Sequence, residues 1–131
     1  MKMLVRTLLW FLVAVITLSF VLLVPNLLGG EVEECIRIAP KYGVPPEGIE
    51  VRLWDGSRAD LVSETYVYEV DYAKKWQESF GQAGLYSILT GKPPAVILLA
   101  SSTDDHRYLY RATLVSQLYG VPVFIEWLPQ E

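Results

Sequence analysis

Residues Thr65–Gly91, TYVYEVDYAKKWQESFGQAGLYSILTG, change period part-way along. The first seven residues are rich in β-branched and aromatic side chains and read as a strand. From Tyr72 to about Thr90 the spacing becomes helical, with Gly91 as the stop signal. At about 100° per residue, Tyr72, Trp76, Phe80, Ala83 and Ser87 share one face, which should lie on a sheet. Lys75, Glu78, Gln82 and Tyr86 form a second, mostly polar stripe. A strand feeding a sheet-covering helix is half of an α/β unit, so the flanking segments decide the fold.

Upstream, IEVRLW (Ile49–Trp54) alternates, Asp55-Gly56 is a favoured tight-turn pair, and SRADLV (Ser57–Val62) returns as the second arm of a hairpin. Before these, EVEECIRIAPK (Glu31–Lys41) has Val32, Cys35, Ile36 and Ala39 at helical spacing and acids in its first turn, where a helix favours negative charge. The paired prolines of YGVPPEG (Tyr42–Gly48) then interrupt regular structure. Downstream, PAVILLAS (Pro94–Ser101) is a nearly continuous apolar run, as expected of a strand covered on both faces. DDHRYLYRATLVSQLYG (Asp104–Gly120) reads as a helix with Leu109, Ala112, Leu114 or Val115, and Leu118 toward the core. VPVFIEW (Val121–Trp127) supplies a last strand. The order is helix, three-strand meander, helix, strand, helix, strand. This is an α/β sandwich whose last strands are parallel because helices connect them.

The amino terminus, MKMLVRTLLWFLVAVITLSFVLLVPNLLGG, has Lys2 and Arg6 and then no charge until Glu31. A helix crosses a hydrocarbon layer with about 20 apolar residues, so residues 7–28 read as a membrane span and residues 1–30 as a signal anchor. A cleaved signal peptide, and hence a secreted protein, is the competing reading. Its apolar region is usually about 7–15 residues and ends in a small-x-small site, for which Leu28-Gly29-Gly30 is a poor match. Positive residues before the span place residues 31–131 outside the cytoplasm, periplasmic or extracellular.

The length of 131 residues and 52% hydrophobic composition fit one compact domain plus this accessory segment. Residues 31–131 hold nine Lys and Arg against fifteen Asp and Glu, a net charge of −6 that gives little footing for nonspecific nucleic-acid binding. One cysteine, Cys35, permits no intrachain disulfide and reads as a small buried apolar residue. With one cysteine and one histidine no zinc site is available. His106, beside Asp104 and Asp105, reads as a solvated first-turn residue, and no phosphate-cradling glycine loop follows a strand.

Two motifs coincide with this element order. Asp60 in RADLV sits on the second strand, Glu69 in YEVD near the end of the third, and the next helix carries QAGLY, or Gln82-x-x-x-Tyr86. This pattern resembles the PD-(D/E)XK, or restriction-endonuclease-like, nuclease superfamily, especially its RecB-like branch with a QxxxY motif. Over the run EVDYAKKW…GQ…LY…TGKPPAVIL the chain is also similar to small exported bacterial proteins of unknown function.

The nuclease resemblance implies a metal-dependent phosphodiesterase acting on nucleic acid, with Asp60, Glu69 and Asp71 holding Mg²⁺ or Mn²⁺ and Gln82 and Tyr86 orienting substrate. Two residues after Glu69 the superfamily places a lysine, but here stands Asp71. Lys75, one helical turn on and in the stripe of Gln82 and Tyr86, is the residue expected to take that lysine's role. Asp71 then serves as a third metal ligand or as an orienting group for Lys75. The alternative is a catalytically inactive nuclease-fold module of the cell envelope that binds a protein partner. The acids also have a plain reading as solvated residues on the open face of an antiparallel sheet, the lysine stripe as an exposed helix surface, and Tyr86 as core.

Overall fold

The computed structural model describes residues 30–129. The membrane span expected at 7–28 lies outside them; among the described residues no helix is long and apolar enough to cross a membrane. Glu31–Glu131 forms one compact unit.

Helix α1 covers residues 30–38. It tightens into a 3₁₀ turn at Ala39–Tyr42 that Gly43 closes at φ 66°, donating its N–H to the Pro40 carbonyl at 3.2 Å. Strands β1 (Ile49–Arg52), β2 (Arg58–Val62) and β3 (Val67–Tyr72) form an antiparallel meander. A 3₁₀ turn at Ala73–Lys75 leads into helix α2 (Trp76–Thr90), so the helix starts later than the sequence spacing predicts. Gly91 stops it at φ 71°, as expected. Strand β4 (Pro94–Ala100), helix α3 (His106–Tyr119) and strand β5 (Val123–Trp127) complete the order. The sheet runs β1-β2-β3-β4-β5, with β3, β4 and β5 parallel. The α/β class, the order of elements and the parallel end of the sheet therefore agree with the sequence reading.

Alternate residues of the central strands face opposite layers. Val70, Ile97 and Leu99 pack with Cys35 and Ile38 of α1 on one face. Val96, Leu98 and Ala100 pack with Ala83 of α2 and with Leu109 and Ala112 of α3 on the other. Burial on both sides explains why β4 is apolar throughout, its residues 95–100 all being buried.

Three details of the helix faces differ from expectation. In α1 the inward residues are Cys35 and Ile38, whereas Ile36 is 57% exposed. In α2 the residues fully against the sheet are Ser79, Ala83 and Tyr86, with Trp76 and Phe80 only partly covered. The apolar face is rotated toward Tyr86, whose side chain packs with Ala59 and Val67. In α3 Leu114 and Leu118 point to solvent, because Leu109 and Ala112 already complete the face that meets the sheet.

The β1–β2 connection fixes the meander's register. Asp55 Oδ1 accepts from the Ser57 N–H at 2.9 Å, Gly56 adopts φ 92°, and Leu53 N–H donates to Ser57 O at 2.8 Å. A two-residue turn on Asp55-Gly56 would oppose Glu50 and Leu61. Here Ile49 pairs with Leu61 and Val51 with Ala59, so Glu50 lies opposite Asp60. Glu50 also has φ 56°, a conformation uncommon for a residue with a Cβ.

Candidate carboxylate site

The register between β2 and β3 matches Leu61 to Tyr68 and Val62 to Val67, and pairing stops there. One step further, where Asp60 and Glu69 would oppose each other, a side chain replaces the ladder bond. Asp60 Oδ2 accepts from the Val70 backbone N–H at 2.7 Å. The strands thus part at Asp60 without leaving that N–H unsatisfied.

The parting leaves room for two carboxyl groups to meet. Asp60 and Glu69 are in side-chain contact, and Tyr86 of α2 lies against Glu69. Glu69 is 3% exposed, and its Oε2 has no hydrogen-bond partner. Burial raises the Glu69 carboxyl far above the usual carboxylate range, and the neighbouring Asp60 charge adds to the effect. Burial raises Asp60 as well, opposed by its bond from Val70. The pair holds a proton at neutral pH unless a positive charge enters.

The other residues singled out from the sequence take distinct positions. Asp71 is 2% exposed, and its Oδ1 accepts from the Tyr72 N–H at 2.7 Å and stands 3.3 Å from Lys75 Nζ. That hydrogen-bonded partner raises the Lys75 ammonium, so it stays charged; the side chain is 44% exposed. Tyr86 donates to Gln82 Oε1 at 3.2 Å, which links the two ends of the QxxxY pattern while Gln82 itself is exposed. Burial pushes the Tyr86 phenol up, and Glu69 pushes it further. His106 is exposed, its ring 5.4 Å from that of Trp127.

Three groups near the pair were not selected from sequence. Glu31, at the start of α1, is raised by burial and then by Asp71 and Asp60, so the helix brings a further acid to the parted strands. Glu50 lies opposite Asp60, its Oε2 2.6 Å from Arg58 Nε. Cys35 is fully buried, its thiol raised by burial and by the surrounding acids. Glu50 had a legible signal in the hairpin, but only the register observed puts it beside Asp60.

Among the described residues no group of three or more His, Cys, Asp and Glu side chains is arranged to hold a metal ion. Asp60 and Glu69 supply two carboxyls, and Asp71 is engaged with Lys75 instead. Mg²⁺ is usually held by one or two carboxylates with waters and substrate oxygens completing its shell, so the pair together with the orphaned Glu69 Oε2 fits such an ion. Clefts elsewhere among the described residues include these. One of about 490 Å³ is lined by Tyr42, Tyr66 and Tyr68 with the β2–β3 turn, another of about 250 Å³ by Tyr72, Lys74 and Asp105.

Comparison with protein-family models, with curated proteins and with solved structures finds no match.

Proposed function

We propose that this chain is a restriction-endonuclease-like phosphodiesterase, dependent on a divalent cation, that acts on nucleic acid from a membrane anchor on the outer side of the cytoplasmic membrane. The observation that carries the reading is the Asp60–Glu69 pair, Glu69 buried and Asp60 half-buried, with Glu69 Oε2 left without a partner. Two carboxyls placed together with one of them away from water are costly unless a cation or a shared proton neutralises them. The order of elements supports the same reading, since a meander followed by parallel strands presents both acids at the break between β2 and β3.

Asp60 and Glu69 would hold Mg²⁺ or Mn²⁺. When bound, such an ion polarises a phosphoryl oxygen and lowers the pKa of a coordinated water. The chain's own residues do the rest. Asp71 fixes the Lys75 ammonium one helical turn from the position where the superfamily carries its lysine, and Lys75 offsets charge developing on the phosphoryl oxygens. Tyr86, braced by Gln82, closes the inner side of the Glu69 carboxyl and keeps water from it.

The test is cleavage of single- and double-stranded DNA and RNA with Mg²⁺ or Mn²⁺. Activity abolished by Asp60→Asn and by Glu69→Gln, and lowered about 10²-fold by Lys75→Met, is the expected result. Cleavage that survives all three changes sinks the assignment.

A second reading, an inactive module of the cell envelope that binds a protein, is favoured by one observation. Asp60 Oδ2 already serves the backbone by capping Val70 N–H, a structural task that needs no cation. Absence of cleavage across the substrate panel together with retention of a defined envelope protein would select it.

A further inference from the structure

Asp60 has an acid on either side of it in the sheet. Glu50 of β1 stands opposite it in one ladder, and the β2–β3 ladder, continued one step, meets Glu69. A row of three carboxyl groups thus crosses the meander. Two rungs along from Glu50, Arg52 pairs with Arg58, so the β1–β2 ladder sets like charges opposite each other twice. Such pairs repel, and Arg58 relieves part of both conflicts by reaching diagonally to Glu50, its Nε 2.6 Å from Oε2.

That ion pair is incomplete. Glu50 Oε2 is buried and accepts no hydrogen bond even with Nε so near, so charge holds the pair without a directed N–H. Among the described residues, the buried side-chain oxygens without a hydrogen-bond partner are this one and Glu69 Oε2, which belong to the two acids flanking Asp60. Glu69 is itself only 3% exposed. Backbone strain falls at the same place, because Glu50, at φ 56°, is the one non-glycine residue with positive φ among the described residues. Orphaned oxygens and a strained backbone around one aspartate are costs that a bound cation offsets.

From this coincidence we infer that Glu50 is a third carboxyl of the cation site, held by Arg58 in the resting protein and released to the metal when a divalent cation enters between Asp60 and Glu69. Arg58 is the resting counter-ion whose place the metal takes. The inference rests on the reading of Asp60 and Glu69 as ligands of Mg²⁺ or Mn²⁺. Exposure suits the exchange, since the Arg58 side chain is 63% exposed and free to swing into water, whereas that of Glu50 is 19% exposed and stays at the site. Asp71 does not fill the third position, being engaged with Lys75.

The experiment measures Mn²⁺ binding to the full chain in a zwitterionic detergent, by the electron paramagnetic resonance signal of the free ion. Wild type is compared with Asp60→Asn, Glu50→Gln, Arg58→Gln and the Glu50→Gln/Arg58→Gln double variant. Hard cations bind more tightly as charged oxygen ligands are added, so Glu50→Gln should weaken binding about 10-fold. Arg58→Gln should tighten it about 2–5-fold, the worth of an exposed ion pair that no longer competes. In the Glu50→Gln background the arginine substitution should have no further effect, because Arg58 acts through Glu50. Line broadening by water enriched in the magnetic oxygen isotope counts the waters on bound Mn²⁺, and Glu50→Gln should add one.

Unchanged affinity or an unchanged water count in Glu50→Gln overturns the inference and leaves Asp60 and Glu69 as ligands. Tightening by Arg58→Gln that persists in the double variant overturns it too, since the arginine would then act only through its general field. Should Glu50→Gln fail to fold, a folded Arg58→Gln that binds Mn²⁺ no tighter than wild type is enough to reject it. A wild type that binds no Mn²⁺, or an Asp60→Asn that binds it equally well, removes the metal reading itself and this inference with it.

Discussion

Replacing Glu69 by Gln should abolish the loss of stability that the protein shows as pH rises. Glu69 is 3% exposed, and burial beside Asp60 raises its carboxyl in the folded state. A group raised on folding keeps a proton that the unfolded chain releases. Its contribution to stability is full below the ordinary carboxylate range, about pH 4.3, and is lost as pH climbs toward the raised value. With one extra proton held by the folded state, stability falls by on the order of 1 kcal/mol per pH unit, or a few kcal/mol between pH 6 and pH 8. Gln keeps the shape and carries no proton to lose, so this loss disappears in the variant.

The assay is equilibrium urea unfolding of the metal-free full chain in a zwitterionic detergent, followed by tryptophan fluorescence at intervals across pH 5–8. The wild type should weaken with rising pH, the variant should stay nearly flat, and added Mg²⁺ should restore the wild type alone because it binds the ionised pair. An equal slope in both proteins, or a wild type that gains stability as pH rises, would refute the reasoning about this carboxyl.

Asp60→Ala should destabilise the domain by about 1–3 kcal/mol relative to Asp60→Asn, because only Asn still offers Val70 N–H an oxygen; urea midpoints of the two variants measure the difference. Gly48→Ala should cost about 1–3 kcal/mol, since a Cβ there would stand 2.2 Å from the backbone oxygen of Val62, and a thermal melt reads the loss. Ile97→Ala, at a fully buried site in the central strand, should cost about 2–5 kcal/mol in the same measurement. Glu126→Gln should weaken the tie between β5 and the turn after α1, where Lys41 Nζ and Tyr42 OH each donate to Glu126 Oε1 at 2.5 Å. The expected cost is about 1 kcal/mol, with faster amide exchange at residues 39–44 as a second readout.

Local chemistry was enough to determine much of this protein. The change of period at Tyr72, the stops at Gly91 and Gly120, the hairpin around Asp55-Gly56 and the apolar run at Pro94–Ala100 each leave a mark in a few adjacent residues, and together they specify the order of elements and the parallel strands. Asp60, Glu69, Gln82 and Tyr86 were legible in the same way, because a side-chain type at a fixed spacing on a known element is a sequence property.

What only the tertiary structure decided depends on register and rotation, which neighbouring residues do not encode. A one-residue difference at the β1–β2 turn places Glu50 opposite Asp60. A small rotation of α2 takes Tyr86 from a polar stripe into contact with Glu69. In α3, Leu114 and Leu118 have the spacing of core residues, yet Leu109 and Ala112 already cover the sheet there. Hydrophobic spacing says that a residue seeks cover, but only the assembled layers determine which residues find it.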